Sequence, residues 1–124
     1  MAIILIAEDD ADIRDLVVFK LEQSGHTVIP VGDGRSALRM AHEKDPDIVL
    51  LDVMMPGMSG IDVCRELRRD ARTAELPIIL LTARAQESDV ENGLTAGADD
   101  YIVKPFSPRV LAERVQSVLT RTRA

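Results

Sequence analysis

Three uninterrupted apolar runs set the terms on which this chain folds: Ile3-Ile4-Leu5-Ile6-Ala7, Ile48-Val49-Leu50-Leu51 and Pro77-Ile78-Ile79-Leu80-Leu81. Each is too short to cross a membrane and lacks a polar alternation. Each therefore reads as a strand buried on both faces, the kind found in a parallel sheet. Between the runs the apolar positions change to helical spacing. Ile13, Leu16, Val17 and Leu21 form one such set, Ala37, Leu38 and Ala41 a second, and Ile61, Cys64 and Leu67 a third. Ser107 as N-cap and Pro108 at the first helical position open a last helix with Leu111, Val115, Val118 and Leu119 on one face. The β-branched run at 26–31 contains Pro30, which removes a ladder donor and places that strand at a sheet edge. A helix over 86–96 carries the poor helix formers Asn92, Gly93 and Thr95, and Asp100 to Val103 is a final short strand.

The order is thus βαβαβαβαβα. It predicts a doubly wound α/β fold, a five-stranded parallel sheet with helices on both faces and right-handed crossovers. The 124 residues read as one domain, long enough to bury a core without staples, and no repeat or linker divides them.

Charge and cysteine usage remove several functions. A net charge of −6 is the wrong sign for neutralising phosphates, which disfavours direct nucleic-acid binding by this chain. The single Cys64 excludes an internal disulfide and points to a reducing cytoplasm. It sits among apolar helix positions as a structural thiol, and with His26 and His42 apart from it no zinc site forms. No apolar run has the length of a membrane span, and the N-terminus lacks signal-peptide features.

Four of the five strands end in a chemically useful group: Glu8-Asp9 after the first, Asp52 after the third, Thr82 after the fourth and Lys104 after the fifth. In an open parallel sheet, ligands bind beyond these carboxyl ends, where strand order reverses. Alone, Asp52 reads as a turn or capping residue. With strands one and three adjacent it would instead meet Asp9. Three converging carboxylates repel unless a divalent cation is bound or one holds a proton. Hard oxygen ligands suit Mg²⁺. Lys104 adds a point charge able to pair with Asp52 at rest and with a phosphoryl oxygen afterwards, Thr82 a hydroxyl and Ala83 a backbone donor, which makes a phosphoryl-transfer site with Asp52 as nucleophile and an acyl phosphate as product.

Glu8-Asp9, Asp52 with Met54-Met55-Pro56-Gly57-Met58-Ser59-Gly60, Thr82-Ala83, Gly97-Ala98-Asp99-Asp100-Tyr101 and Lys104-Pro105-Phe106 occur in that order along the chain. Together they resemble the receiver domain of bacterial two-component response regulators, of CheY-like fold, over essentially the full length. The resemblance implies strand order 2-1-3-4-5 and a phosphoryl group taken by Asp52 from the phosphohistidine of a sensor histidine kinase or a phosphotransfer protein. It implies Mg²⁺ held by Asp9, Asp52 and the Met54 backbone carbonyl, with Glu8 acting through water. Lys104, Thr82 and Ala83 would contact the phosphoryl group. Thr82 and Tyr101 would be the switch pair, acting on the face of the fourth helix, last strand and last helix. A cis Lys104–Pro105 bond follows from the same resemblance. Such a protein is a signalling switch that assists its own phosphorylation, not an enzyme acting on other substrates.

The tail, with Asp99-Asp100, Arg114 and Arg121, resembles the winged-helix (OmpR/PhoB-type) subfamily. That implies a receiver from a DNA-binding regulator and allows a homodimer formed on phosphorylation. Val90 and Val110 depart from that subfamily's salt-bridge partners. A more distant alternative is an aspartyl-phosphate phosphohydrolase, whose chemistry wants a second aspartate two residues after the nucleophile, where this chain has Met54. Asp10 reads most simply as an N-cap, and Arg65, Arg68, Arg69 and Arg72 as a solvated helix face.

Overall fold

The computed structural model describes residues 1–83 and 94–122. Strands β1 (Ile3–Ala7), β2 (Thr27–Val31), β3 (Ile48–Asp52), β4 (Ile78–Thr82) and β5 (Asp100–Val103) form one sheet in the order β2-β1-β3-β4-β5. Every pairing is parallel. The proline-bearing β2 is an edge strand, as a missing ladder donor requires. Among the described residues the helices are α1 (Ala11–Gln23), α2 (Gly34–Lys44), α3 (Gly60–Arg69) and α4 (Pro108–Thr122). The predicted helix over 86–96, with Val90, Asn92 and Gly93, lies outside the described residues up to position 93.

The unbroken apolar strands are explained by two cores. Ile4, Ile6, Leu50 and Leu81 point to the side of Val17 and Leu21 of α1 and Leu111 and Val115 of α4. The alternating Leu5, Leu51 and Leu80 point the other way, onto Ala37 and Ala41 of α2 and Val63, Cys64 and Leu67 of α3. All five residues of β3 and of β4 are buried.

Side-chain caps fix where the helices start. Asp10 accepts from the amides of Asp12 and Ile13, Asp33 from Ser36, Ser59 from Asp62, and Ser107 from Val110. Each cap of this kind contributes about 1 kcal/mol.

Two residues depart from the sequence reading. Leu16 lies outside the apolar face of α1 and is 50% exposed, beside the 64% exposed Phe19. Arg68 does not share a solvated face with its neighbours. Its Nε donates to the Gly97 carbonyl at 2.9 Å and its Nη1 to the Leu76 carbonyl at 2.6 Å, while Nη2 pairs with Asp99 at 3.1 Å. Asp99 in turn accepts from the Ile78 amide at 2.8 Å, so the approach to β5 is stapled to the start of β4. In the turn after β3, Met55 is buried and Met54 is 62% exposed. Cys64 is buried, and burial pushes its thiol pKa up, as befits a structural residue. Among the described residues no helix is long and apolar enough to cross a membrane.

Candidate functional site

Asp52 is the last residue of β3 and only 3% exposed. The chain must leave the sheet there and start α3 within a few residues. Gly60 permits this, because a Cβ at that position would collide with the Asp52 carbonyl. The turn is held on the acid itself, the Met54 amide lying 3.4 Å from Asp52 Oδ1.

Because β1 and β3 pair with Ala7 opposite Leu51, the acidic residues after β1 emerge beside Asp52. Oxygen atoms of Glu8, Asp9 and Asp52 all lie within 4.8 Å of one another. Glu8 is fully buried and Asp9 is exposed. Lys104 enters from the end of β5, where its amide donates to the Thr82 carbonyl at 2.7 Å and its bond to Pro105 is cis. Its Nζ lies 2.6 Å from Glu8 Oε1 and 3.2 Å from Asp52 Oδ1. Lys104 thus sits nearer Glu8 than the sequence reading, which paired it with Asp52, expected. The extra methylene of glutamate supplies that reach, and it was the available signal.

Electrostatics follow from this crowding. Burial comes first in raising the Asp52 pKa, and the hydrogen bond and negative charge of Glu8 add to it. Lys104 works the other way, and the balance leaves Asp52 at about 7. Burial opposes the Lys104 ammonium, yet its contacts with Glu8 and Asp52 outweigh that and raise its pKa. Glu8 Oε1 is fully buried, with the Lys104 ammonium against it at 2.6 Å. Three converging carboxylates with one ammonium beside them leave negative charge uncompensated, and these hard oxygen ligands fit a hydrated divalent cation.

Thr82 ends β4 and is 7% exposed, and Ala83 follows it at the surface. Tyr101 is half-buried and pairs in register with Leu80, while Thr82 pairs with Val103. Positions two apart share a face, so Thr82 and Tyr101 lie on the same side of the sheet. Asp100 on β5 pairs with Arg114 of α4 at 2.8 Å. The structure thus gathers Glu8, Asp9, Asp52 and Lys104 at the carboxyl ends of β1, β3 and β5, and puts Tyr101 one pleat behind Thr82.

The family profile of the response regulator receiver domain matches residues 4–116. The phosphate regulon transcriptional regulatory protein PhoB of Escherichia coli (strain K12) is 47% identical over 118 residues, 95% of this chain and 52% of that protein. The chain spans about half the length of the curated relatives it matches. The structure of chemotaxis protein CheY4 of Vibrio cholerae superposes with a TM-score of 0.90 at 33% identity, covering 95% of this chain and 98% of that one. The receiver domain of sensor histidine kinase PA1611 from Pseudomonas aeruginosa PAO1, solved with magnesium coordinated in its active site cleft, gives a TM-score of 0.88 at 34% identity. That match covers 96% of this chain and 98% of the other.

Proposed function

The chain belongs to the response regulator receiver domain family of two-component signal transduction, and from that premise we propose that Asp52 is its phosphoacceptor. One observation carries the reading: the nearly buried Asp52 lies among Glu8, Asp9 and the Lys104 ammonium, 3.2 Å from the last. In the reaction an Asp52 carboxylate oxygen attacks the phosphorus of a phosphohistidine. The phosphorus–nitrogen bond breaks, the imidazole leaves with its electron pair and takes a proton, and an acyl phosphate remains.

Lys104 is close enough to shift from Asp52 to a phosphoryl oxygen, replacing one anionic partner by another. The Thr82 hydroxyl and the Ala83 amide, at the end of the neighbouring strand, are the donors for the remaining oxygens. Asp9, Asp52 and the Met54 carbonyl would hold Mg²⁺, with Glu8 reaching it through water. When bound, the ion supplies charge neutralisation for the carboxylates and the transferring phosphoryl group. That assignment is supported by the convergence of the Glu8, Asp9 and Asp52 carboxylates and by the magnesium in the PA1611 receiver cleft.

The donor of the phosphoryl group is a sensor histidine kinase or phosphotransfer protein of the cytoplasm, and the chain turns over no other substrate. The relatives that carry the name of transcriptional regulators favour an output through transcription, with DNA contacts made outside this acidic domain. Whether the native gene continues past Ala124 tests that output. The phosphoacceptor is tested by incubation with acetyl phosphate and Mg²⁺ followed by intact mass. One added phosphoryl group is expected, and none in Asp52→Asn. Persistent labelling of that variant would place the acceptor elsewhere.

A further inference from the structure

Asp9 is the exposed member of the acidic triad, and among the described residues no side chain buries it in place. Its position is inherited from its two neighbours, and both are held by one residue. The Arg14 amide donates to the Asp10 carbonyl at 2.9 Å, and Arg14 Nη1 donates to the Glu8 carbonyl at 2.8 Å. The side chain therefore returns from the first turn of α1 to the end of β1, closing a loop around Asp9.

The rest of that loop is equally tied. The Glu8 amide donates to the Val31 carbonyl at 3.1 Å, so both backbone groups of Glu8 are fixed. Glu8 Oε2 accepts from the Asp10 amide at 3.2 Å, and Asp10 caps α1 through the amides of Asp12 and Ile13. The half-buried guanidinium passes over Gly32, where an added Cβ would stand 3.2 Å from Nη1. A side chain at Gly32 would crowd that end of Arg14. The backbone of Gly32 lies outside the left-handed region and accepts one without strain.

We propose that Arg14 is a positioning residue for the cation site, bracketing Asp9 between two clamped carbonyls, and that Gly32 keeps the path of its guanidinium open. The inference rests on the reading of Glu8, Asp9 and Asp52 as a Mg²⁺ site. Charge alone predicts the opposite behaviour, because a fixed cation near the triad repels a divalent ion and its removal would tighten binding. Positioning predicts weaker binding even when the charge stays.

Calorimetric Mg²⁺ titrations of the wild type, Arg14→Lys, Gly32→Val and Arg14→Gln separate the two, with urea unfolding in metal-free buffer alongside. Arg14→Lys keeps the charge and loses the planar fork, and Gly32→Val keeps the arginine and crowds its Nη1. Both are expected to bind Mg²⁺ about tenfold more weakly, the usual loss when a group supporting a ligand is removed. The effects of Arg14→Lys and Gly32→Val should be less than additive in the double variant, since both act on one hydrogen bond. Should an Arg14 variant fail to fold, Gly32→Val alone decides. Wild-type affinity in the charge-conserving variants, or tighter binding in Arg14→Gln with Gly32→Val unchanged, overturns the proposal. A wild type that binds no Mg²⁺ overturns the cation-site reading itself, and the proposal with it.

Discussion

Lys104 Nζ lies 2.6 Å from Glu8 Oε1 and 3.2 Å from Asp52 Oδ1, so one ammonium serves two buried carboxylates and serves Glu8 more closely. Glu8 has no exposure through which water could replace that partner. Truncating the lysine therefore strands a charge in the interior. Lys104→Met is expected to cost about 3 kcal/mol of stability in metal-free buffer, the scale for breaking a buried ion pair from one side. Urea unfolding measures it. Glu8→Gln, Lys104→Met should recover part of the loss, and a double variant as unstable as the single one would contradict the pairing.

The pH dependence of the metal-free protein follows from Asp52. Its folded pKa of about 7 lies above the ordinary 3.8, so the folded state prefers the protonated acid. The stability from this preference is complete below about pH 4 and is lost as pH rises through 7. His26 slopes the other way in part of that window, because burial and the nearby N-terminus lower its pKa from 6.5. The wild type must therefore be compared with Asp52→Asn, in which only the aspartate's share is removed. The difference between the two curves should fall with rising pH from 4 to 7, and saturating Mg²⁺ should flatten it.

Metal ligation should depend more on Asp9 than on Glu8. Asp9 is exposed and free to meet a hydrated ion, whereas Glu8 is buried against Lys104. Asp9→Asn is expected to weaken Mg²⁺ binding by more than about tenfold and Glu8→Gln by less. Equal losses, or a larger one for Glu8→Gln, would reverse the ranking.

Much of this arrangement was legible because a strand buried on both faces has no polar residue to blur it. Ile48 to Leu51 and Ile78 to Leu81 stand out as runs, and the first polar residue after each marks the carboxyl edge. Arg68 was illegible for the opposite reason. Its partners, Leu76, Gly97 and Asp99, are distant along the chain, and a long side chain next to Arg69 looks solvated until tertiary contacts are known. Leu16 misled through spacing alone, since the side of α1 that meets the core runs through Ile13, Val17, Val18 and Leu21 and Leu16 falls outside it. The partner choice of Lys104 turns on side-chain length rather than spacing, because the extra methylene of Glu8 carries its carboxylate closer to the ammonium than that of Asp52.

The close approach of α3 to β3 gives a steric prediction. Gly60→Ala would push a methyl group into the Asp52 carbonyl, and that contact is backbone and cannot swing aside. A loss of about 1–3 kcal/mol is expected, together with slower phosphorylation by acetyl phosphate as the strand end shifts. Unfolding midpoint and labelling rate should change together, and a stable variant labelled at the wild-type rate would show that the helix start has slack.

Phosphorylation is expected to be read through Thr82 and Tyr101. An acyl phosphate on Asp52 adds negative charge and acceptor oxygens beside the end of β4, toward which the Thr82 hydroxyl is drawn. Tyr101 is half-buried one pleat behind on the same face, opposite Leu80, so movement of Thr82 changes the space available to its ring. The approach to β5 cannot simply slide, because Arg68 and Asp99 staple it to α3 and to Ile78. Rotation of the aromatic ring is thus the cheaper response than displacement of the strand. Beryllofluoride, a phosphoryl mimic, should shift amide resonances from 94 to 106 more than those of α1 and α2 away from the site. Thr82→Ala should still bind the mimic and pass less of the change to Tyr101. A full wild-type response at Tyr101 in that variant would break the threonine–tyrosine coupling while leaving the Asp52 chemistry intact.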